Sequence, residues 1–307
     1  MQTTNHLLLI RPRNFARASE TVADNSFQSA VSAESFTAIN RRAQVEFDGF
    51  VSLLQSVGIT THIFDDNDAP VKPDAIFPNN WFSTHPDGTV VTYPVYWPQR
   101  RLERRQDILD YLRNEFAVTQ VTDLSHWEKE DLFLESTGCV VLDRKARIAY
   151  ACVSQRCSPE ALHRWCQLMD YQPISFHATD ARGETIYHTN VMMAVGTGEV
   201  LVCLDAVRDE EEQAKLRESL LLSGKRIVGL SLDQIDRFAG NALEAQTPQG
   251  VVWIMSSAAF TALDDGQRQA LVATPGSRIV HADLSTIEHY GGGSARCMLA
   301  EVYLNKS

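Results

Sequence analysis

The stretch "FLESTGCVVLDRKARIAYACVSQRCSPEALHRWCQLMDYQPISFHA", residues 133–178, decides the fold because it holds one complete structural unit. A polar turn leads into a first apolar strand, and a second apolar strand follows at "RIAYACVS". Leu162, Trp165 and Met169 then recur at helical spacing, which predicts a helix over about 158–169. The apolar run "PISFHA" predicts a closing strand. The unit is therefore strand, strand, helix, strand.

The same order of elements recurs four more times along the chain. The other first strands begin at "FPNNWFS", "YHTNVMMAV", "FAGNALEA" and "GGGSARCMLAEVYL", and the matching helices are predicted over about 101–116, 209–222, 257–272 and 34–56. The last unit forms only if the C-terminal strand pairs with the N-terminal "LLLIRP". We therefore predict an α/β fold, a five-bladed α/β propeller with pseudo-fivefold symmetry, as one domain over residues 1–307. An irregular α/β or α+β domain without symmetry is the alternative.

One polar residue stands at the start of each first strand, and a closed ring would bring all five to its axis. Residues far apart in sequence, such as His188 and Cys297, are then expected to share one pocket. The five residues are Asn80, Glu135, His188, Asn241 and Cys297.

Composition narrows the class of protein. The net charge is −11 and there is no basic cluster beyond "RRLERR", so a nucleic-acid partner is not expected. No apolar stretch approaches the roughly 20 residues of a membrane span, and "HLLLI" is too short for the core of a secretory signal. We expect a cytoplasmic protein with a small-molecule substrate, and leave open whether it forms a homo-oligomer.

Cys297 differs from the other five cysteines in its surroundings. It follows three glycines and Arg296, and a nearby positive charge and exposed backbone N–H groups favour the thiolate. We therefore expect a nucleophile with a lowered pKa, the alternative being an inert cysteine behind a Gly-rich turn. The cysteines show no C-x-x-C spacing, so no metal site is expected.

His188 and Glu135 are the other candidates for chemistry. A histidine accepts and returns a proton near neutral pH, although "IYHTNVMM" taken alone favours a structural histidine that is hydrogen-bonded at a strand start. A carboxylate at Glu135 would be partly buried and need a partner, which could be a substrate N–H, His188 or an arginine. The polar segment 12–35 could form a lid or an ordered loop over the pocket.

The motifs "GGGSARCM", "FLESTG", "YHTN" and "FPNNWF" together resemble the guanidino-group-modifying superfamily, which includes arginine deiminases, dimethylarginine hydrolases and amidinotransferases. "RPRNF", "PNNWFSTHPDGTVV" and "FAGNALE" are most similar to its citrulline-utilisation hydrolases. The resemblance implies a five-bladed propeller and a reaction without a metal or an organic cofactor. It also implies that Cys297 is the nucleophile, His188 the general acid and base, and Glu135 the carboxylate that holds substrate N–H groups.

The resemblance further implies a set of substrate-binding side chains. Arginines suit an α-carboxylate because they hold it with forked hydrogen bonds. By position these are Arg101, with Arg100 as the alternative, together with Arg156 and Arg296.

Asn80 and Asn190 depart from the pattern of the deiminases, which carry aspartates at these positions to hold a cationic guanidinium. Amides remove both negative charges and can donate to a carbonyl oxygen. The substitutions therefore favour a neutral ureido group.

These residues predict a hydrolase that attacks the ureido or guanidino carbon of citrulline- or arginine-type amino acids through a covalent cysteine intermediate. Citrulline would give ornithine, ammonia and carbon dioxide. The alternatives are an arginine deiminase or dihydrolase, an amidinotransferase, and a propeller that binds an amino acid or a partner protein without catalysis.

Overall fold

The computed structural model of the protein describes residues 1–15, 25–28, 35–67 and 69–307. Most of the predicted lid at 12–35 lies outside the described residues. Among the described residues, no helix is both long enough and apolar enough to cross a membrane.

Fifteen short strands form five three-stranded sheets in the described part of the chain. In chain order the strands are β1 His6–Arg11, β2 Thr60–Asp65, β3 Phe82–Thr84, β4 Thr89–Thr92, β5 Gln120–Asp123, β6 Val140–Asp143, β7 Ile148–Cys152, β8 Gln172–Phe176, β9 Met193–Val195, β10 Glu199–Val202, β11 Arg226–Gly229, β12 Leu243–Thr247, β13 Gly250–Ser256, β14 Arg278–Ala282 and β15 Ala300–Glu301.

Nine α-helices connect these strands in the described residues, several of them a single turn or two. They are α1 Phe36–Ser56, α2 Gln106–Glu115, α3 Ser136–Cys139, α4 Pro159–Met169, α5 Glu210–Leu222, α6 Leu232–Ile235, α7 Ser257–Ala262, α8 Asp265–Leu271 and α9 Ser285–Gly291.

All five sheets have the same connectivity. The first strand pairs antiparallel with the second, and the second pairs parallel with the third after a helical crossover, as in β6, β7 and β8. The middle strands are almost wholly apolar because both of their faces are covered; Leu7 to Ile10 in β1 have no exposed surface. The repeated strand–strand–helix–strand unit that the sequence predicts is present in each sheet.

The two ends of the chain meet in one sheet, whose order is β15, β1, β2. Leu8 lies opposite Ala300 in an antiparallel pair, while β1 runs parallel to β2. This pairing is the predicted fifth unit, and it fixes Cys297 just ahead of a strand that the N-terminus holds in place.

Three of the predicted helices match α1, α4 and α5 closely. The helix α1 begins where the Ser35 side chain accepts a hydrogen bond from the N–H of Ala38, and it buries a stripe that includes Ala43, Phe47 and Leu54. Its bulk covers one face of the sheet formed by the chain ends.

The other two predictions of a single continuous helix are wrong, because each segment forms two shorter helices. The segment 101–116 divides into a 3-10 helix, Pro98–Glu103, and α2, because Arg104 and Arg105 are extended between them. The segment 257–272 divides into α7 and α8, because Asp264 caps α8 in a reciprocal capping box with Gln267. A local side-chain cap ended a helix that apolar spacing alone would continue.

A short helical turn precedes four of the five first strands. The turns are Pro78–Asn80, α3, Thr189–Val191 and Ala295–Met298. The turns before β3 and β9 both pack against α3, and the turn before β15 packs against the one before β3. Residues from four separate units are thereby brought together.

Candidate active site

The packed turns line a narrow cavity that is partly open to solvent. Both Cys297 and His188 line it, although 109 positions separate them in the sequence. Its other lining residues are Asn25, Asp74, Phe77, Asn80, Arg100, Arg156, Tyr187, Gly291 and Gly293.

Two asparagine amides face the sulfur of Cys297. The Asn241 Nδ2 group donates to Sγ at 3.2 Å, and the Asn190 Nδ2 group lies 3.6 Å from the same atom. Asn241 is itself fixed, because its Nδ2 group also donates to the Asn190 carbonyl and its Oδ1 accepts from the Arg296 N–H. The sulfur is therefore held by neutral donors that stabilise negative charge on it.

The expectation of a lowered Cys297 pKa is wrong for the protein without a ligand. Burial raises the pKa of the thiol, and the Ser294 backbone, the Asn241 amide and the Arg296 charge only partly oppose this effect. Cys297 is 3% exposed, so water gives its thiolate little support. The Gly-rich loop presents the sulfur to the cavity without making it acidic.

We expect Cys297 to react slowly with iodoacetamide at neutral pH in the absence of substrate. Because its pKa is raised, the thiolate fraction and the alkylation rate should keep rising from about pH 7 to about pH 9.5. Peptide mapping by mass spectrometry measures the rate at each of the six buried thiols. Unfolded protein serves as the control, and a rapid rate that levels off below about pH 8 would contradict the raised pKa.

At least one position in the glycine-rich loop ahead of Cys297 can be occupied only by glycine. Gly292 has a φ of +62°, and a Cβ there would lie 2.5 Å from Asn25 Nδ2. The described residues Asn25 and Gln28 donate to the carbonyl of Gly291, and the Tyr187 hydroxyl donates to that of Gly292. This part of the 12–35 segment thus covers the loop and supplies Asn25 to the cavity wall.

Glu135 and His188 form a buried pair. Nε2 of His188 donates to Oε2 of Glu135 at 2.7 Å, and the Tyr96 N–H donates to Oε1 at 3.1 Å. Burial lowers the pKa of His188, but the hydrogen bond to Glu135 and the charge of that carboxylate favour the imidazolium form and oppose this effect. The imidazolium form is therefore available to donate a proton.

Two arginines share the carboxylate of Glu135 with His188. Nη1 of Arg100 lies 3.6 Å and Nη1 of Arg156 lies 3.7 Å from Oε2. Burial raises the pKa of Glu135, yet Arg156, His188 and Arg100 together lower it to about 2. Glu135 is ionised, and positive groups already surround its charge.

Asn80 has its amide orientation fixed by Arg100. Nη2 of Arg100 donates to Asn80 Oδ1 at 3.0 Å, and since arginine only donates, the oxygen must face it. The Nδ2 group of Asn80 then lies toward Gly138, where an added Cβ would be 2.4 Å from it and 3.0 Å from His188 Nδ1. Only glycine allows these two side chains to approach each other so closely over α3.

The structure brings Arg156 to the cavity but not Arg101 or Arg296. The Arg101 guanidinium donates to the carbonyls of Val95 and Tyr96 and pairs with Glu128. Arg100, the alternative, is the residue of this pair that reaches the cavity. In a 3-10 helix neighbouring side chains point about 120° apart, so only one of the two can face inward.

Arg296 is directed away from Cys297. Its guanidinium donates to the Leu299 carbonyl at 2.7 Å and to Glu301 at 2.8 Å. Only its backbone N–H touches the site, through Asn241. The Arg296 guanidinium is therefore not part of the cavity wall, since consecutive residues of the turn point in different directions.

We predict that Arg296→Met destabilises the protein while leaving the KM for its substrate almost unchanged. Removing one partner of the buried Arg296–Glu301 pair should cost about 3–5 kcal/mol of unfolding free energy. Arg100→Met should also destabilise the protein, because it removes the buried partner of Glu103, but it should in addition raise KM strongly, because Arg100 lines the cavity. Thermal unfolding and steady-state kinetics of both variants test this, and a large rise in KM for Arg296→Met with normal stability would contradict it.

Sequence reasoning missed Asp74, a charged residue of the cavity wall. Asp74 lines the cavity, and its Oδ2 lies 3.7 Å from Arg100 Nε, yet nothing in "KPDAIF" signals it. Asn241 is one of the five strand-start residues that the sequence groups at the axis, and its hydrogen bond to the Cys297 sulfur is a further finding of the structure.

Comparisons with known proteins identify the family of the chain. The profile of the family described as "N,N dimethylarginine dimethylhydrolase, eukaryotic" matches residues 11–304. No curated protein sequence matches the chain.

Three solved structures illustrate the likeness in fold. The substrate-bound N-terminal domain of ArgZ, an arginine dihydrolase from the ornithine–ammonia cycle in cyanobacteria, has a TM-score of 0.75 at 17% identity, with 97% of each chain covered. AgrE in complex with ornithine and NAD+ has a TM-score of 0.75 at 18% identity, and the match covers 97% of this chain but 39% of AgrE. A dimethylarginine dimethylaminohydrolase adduct has a TM-score of 0.63 at 12% identity, with 97% of this chain and 99% of that chain covered. The chain belongs to the N,N-dimethylarginine dimethylhydrolase family, within the guanidino-group-modifying superfamily that its motifs resemble.

Proposed function

We propose that this protein hydrolyses the ureido group of citrulline or a close relative, giving ornithine, ammonia and carbon dioxide. The observation that carries the proposal is the hydrogen bond from Arg100 to Asn80 Oδ1 at 3.0 Å, beside the cavity that Cys297 lines.

This hydrogen bond decides what Asn80 can offer a ligand. Because Asn80 Oδ1 accepts from Arg100, the group that Asn80 can offer a ligand is the Nδ2 amide. One N–H of that amide donates to Asn79 Oδ1 at 3.2 Å. A second N–H of the same group remains for a ligand. A ureido carbonyl oxygen can accept a hydrogen bond from this N–H. A guanidinium cannot, because none of its nitrogens has a free lone pair.

The charges near Glu135 support the same preference. Arg100 and Arg156 both lie within 4 Å of its Oε2 atom, so the carboxylate does not present a free negative charge to a cation. A neutral ureido group can still donate its N–H groups to Glu135 without adding positive charge next to two arginines.

The first half of the reaction consumes the thiolate of Cys297 and the proton of His188. Because burial raises the pKa of Cys297, its thiol first gives its proton to neutral His188, which becomes the imidazolium. The thiolate, to which the amides of Asn241 and Asn190 donate, then attacks the ureido carbon. As the terminal C–N bond breaks, the His188 imidazolium gives its proton to the nitrogen, which leaves as ammonia. A thiocarbamate that joins the sulfur to the rest of the substrate remains.

The second half restores the enzyme. Neutral His188 takes a proton from a water molecule, and the resulting hydroxide adds to the thiocarbamate carbon. The carbon–sulfur bond breaks and returns the thiolate. The released carbamate takes up a proton and decays to ornithine and carbon dioxide. Glu135 holds His188 in place through both steps.

We also propose that the five sheets are the blades of one propeller. The shared connectivity of the sheets supports this arrangement. Contacts of β3 with β15, and of β9 with both β6 and β12, join neighbouring sheets through their first strands and also support it.

Arginine dihydrolase activity is the second candidate. The likeness in fold to the arginine dihydrolase ArgZ supports it, as does the Asp74 carboxylate in the cavity wall. Transfer of the amidino group to a second amine is a further alternative, as is a protein that binds an amino acid without turnover.

Parallel assays of the purified protein with citrulline and with arginine separate these functions. Our proposal expects ornithine and ammonia in equal amounts from citrulline in buffer that lacks any other amine. Turnover of arginine to citrulline or ornithine, with citrulline inert, would reject it in favour of a deiminase or dihydrolase. A requirement for an added amine would indicate a transferase.

A further inference from the structure

A second polar cavity lies directly behind the catalytic turns. Its volume, measured as the space open to the centre of a water-sized group, is about 30 Å³. Its polar lining consists of Gln2, Thr137, Arg144, Glu244, Arg296 and Glu301. This cavity therefore has room for a few waters or for one small ligand.

Arg144 supplies an unsatisfied positive group to this cavity. The residue is 8% exposed, and its Nη1 group has no hydrogen-bond partner among the described residues. Its guanidinium stacks on the ring of Tyr303, with the carbon 3.9 Å from the ring centroid, so the fork of donors is held rigidly. A buried charged donor without an acceptor is costly, which favours an anion or water at this position.

The acidic residues of the cavity are already engaged elsewhere. Glu301 pairs with Arg296 at 2.8 Å and accepts from the Tyr303 hydroxyl at 2.7 Å. Glu244 accepts two hydrogen bonds from Thr197, both at 2.6 Å. Glu301 acts on Arg144 by its charge, but its carboxylate already accepts from Arg296 and Tyr303, and Arg144 Nη1 has no hydrogen-bond acceptor among the described residues.

We propose that this cavity binds a small planar monovalent oxyanion through the guanidinium of Arg144. Planar oxyanions with two adjacent oxygens match the fork of an arginine, and nitrate, formate and bicarbonate are all small enough. A tetrahedral divalent anion such as sulfate is larger and would bring a second charge close to Glu301.

The position of the cavity links it to catalysis. Thr137 lies two residues after Glu135, and Arg296 immediately precedes Cys297. Occupation of the cavity can therefore stiffen the backbone that carries both residues. The binding site itself does not depend on which substrate the enzyme takes.

Thermal unfolding in sodium nitrate and in sodium sulfate at matched ionic strength tests the proposal. Nitrate should raise the melting temperature in a saturable way, by roughly 2 °C at ten times its dissociation constant, while sulfate gives no saturable rise. Arg144→Met should lose the nitrate effect. Arg113→Met, which removes an exposed arginine paired with Asp110, is the matched control and should keep it.

A crystal soaked in nitrate gives a readout that needs no variant. Planar density within hydrogen-bond distance of Arg144 Nη1 would support the proposal. Water alone in the cavity, or equal responses to nitrate by the wild type and Arg144→Met, would overturn it.

Discussion

Cys297→Ser should lower citrulline turnover by about 10³-fold or more while leaving the fold intact. A serine hydroxyl is far less acidic than a thiol, and the neutral amides of Asn241 and Asn190 cannot remove its proton. Because Cys297 is buried and sulfur and oxygen differ modestly in size, the melting temperature should change little. Ammonia release and thermal unfolding measure the two effects.

A second cysteine variant shows whether the loss is specific. Cys166→Ser changes a buried thiol in α4, outside the cavity wall, and should retain nearly full turnover. If Cys297→Ser keeps measurable activity close to that of Cys166→Ser, Cys297 is not the nucleophile and the protein is better described as a binder or as an enzyme of another mechanism.

Asn80→Asp should shift the ratio of kcat/KM for arginine over that for citrulline upward by at least about tenfold. The new carboxylate removes the N–H donor that a ureido oxygen needs, and it adds a charge that attracts a guanidinium. Its pairing with Arg100, which now donates to Asn80, limits the gain for arginine but not the loss for citrulline. Steady-state kinetics with both substrates give the ratio.

Asn80→Ala separates the effect of charge from the loss of the amide. This variant should lose citrulline turnover without gaining any for arginine, since it adds no carboxylate. An unchanged preference in Asn80→Asp would mean that Asn80 does not meet the head group of the substrate, and our argument for a ureido substrate would fail.

The repeated unit was predictable because apolar spacing is set locally by each strand and helix. The pairing of β15 with β1 followed from the same pattern, because the C-terminal strand of the fifth unit had no other partner in the sequence. Breaks within helices were not predictable in this way. Asp264 ends one predicted helix by capping the next, and a capping contact competes with apolar periodicity that looks continuous.

At the site, the sequence did not predict the direction in which individual side chains point. Position at a strand start correctly grouped His188 with Cys297, because backbone topology alone brings those turns together. The choice between Arg100 and Arg101 depends on rotation within a short 3-10 helix, which sequence spacing does not resolve. Likewise the raised pKa of Cys297 follows from burial by parts of the chain that are distant in sequence.

Mass spectrometry of acid-quenched enzyme tests the central claim most directly, that Cys297 attacks a ureido carbon. After brief reaction with citrulline, the peptide that contains Cys297 should carry the mass of citrulline less ammonia, and the other five cysteines should be unmodified. An adduct from arginine alone, or one on any other cysteine, would contradict it.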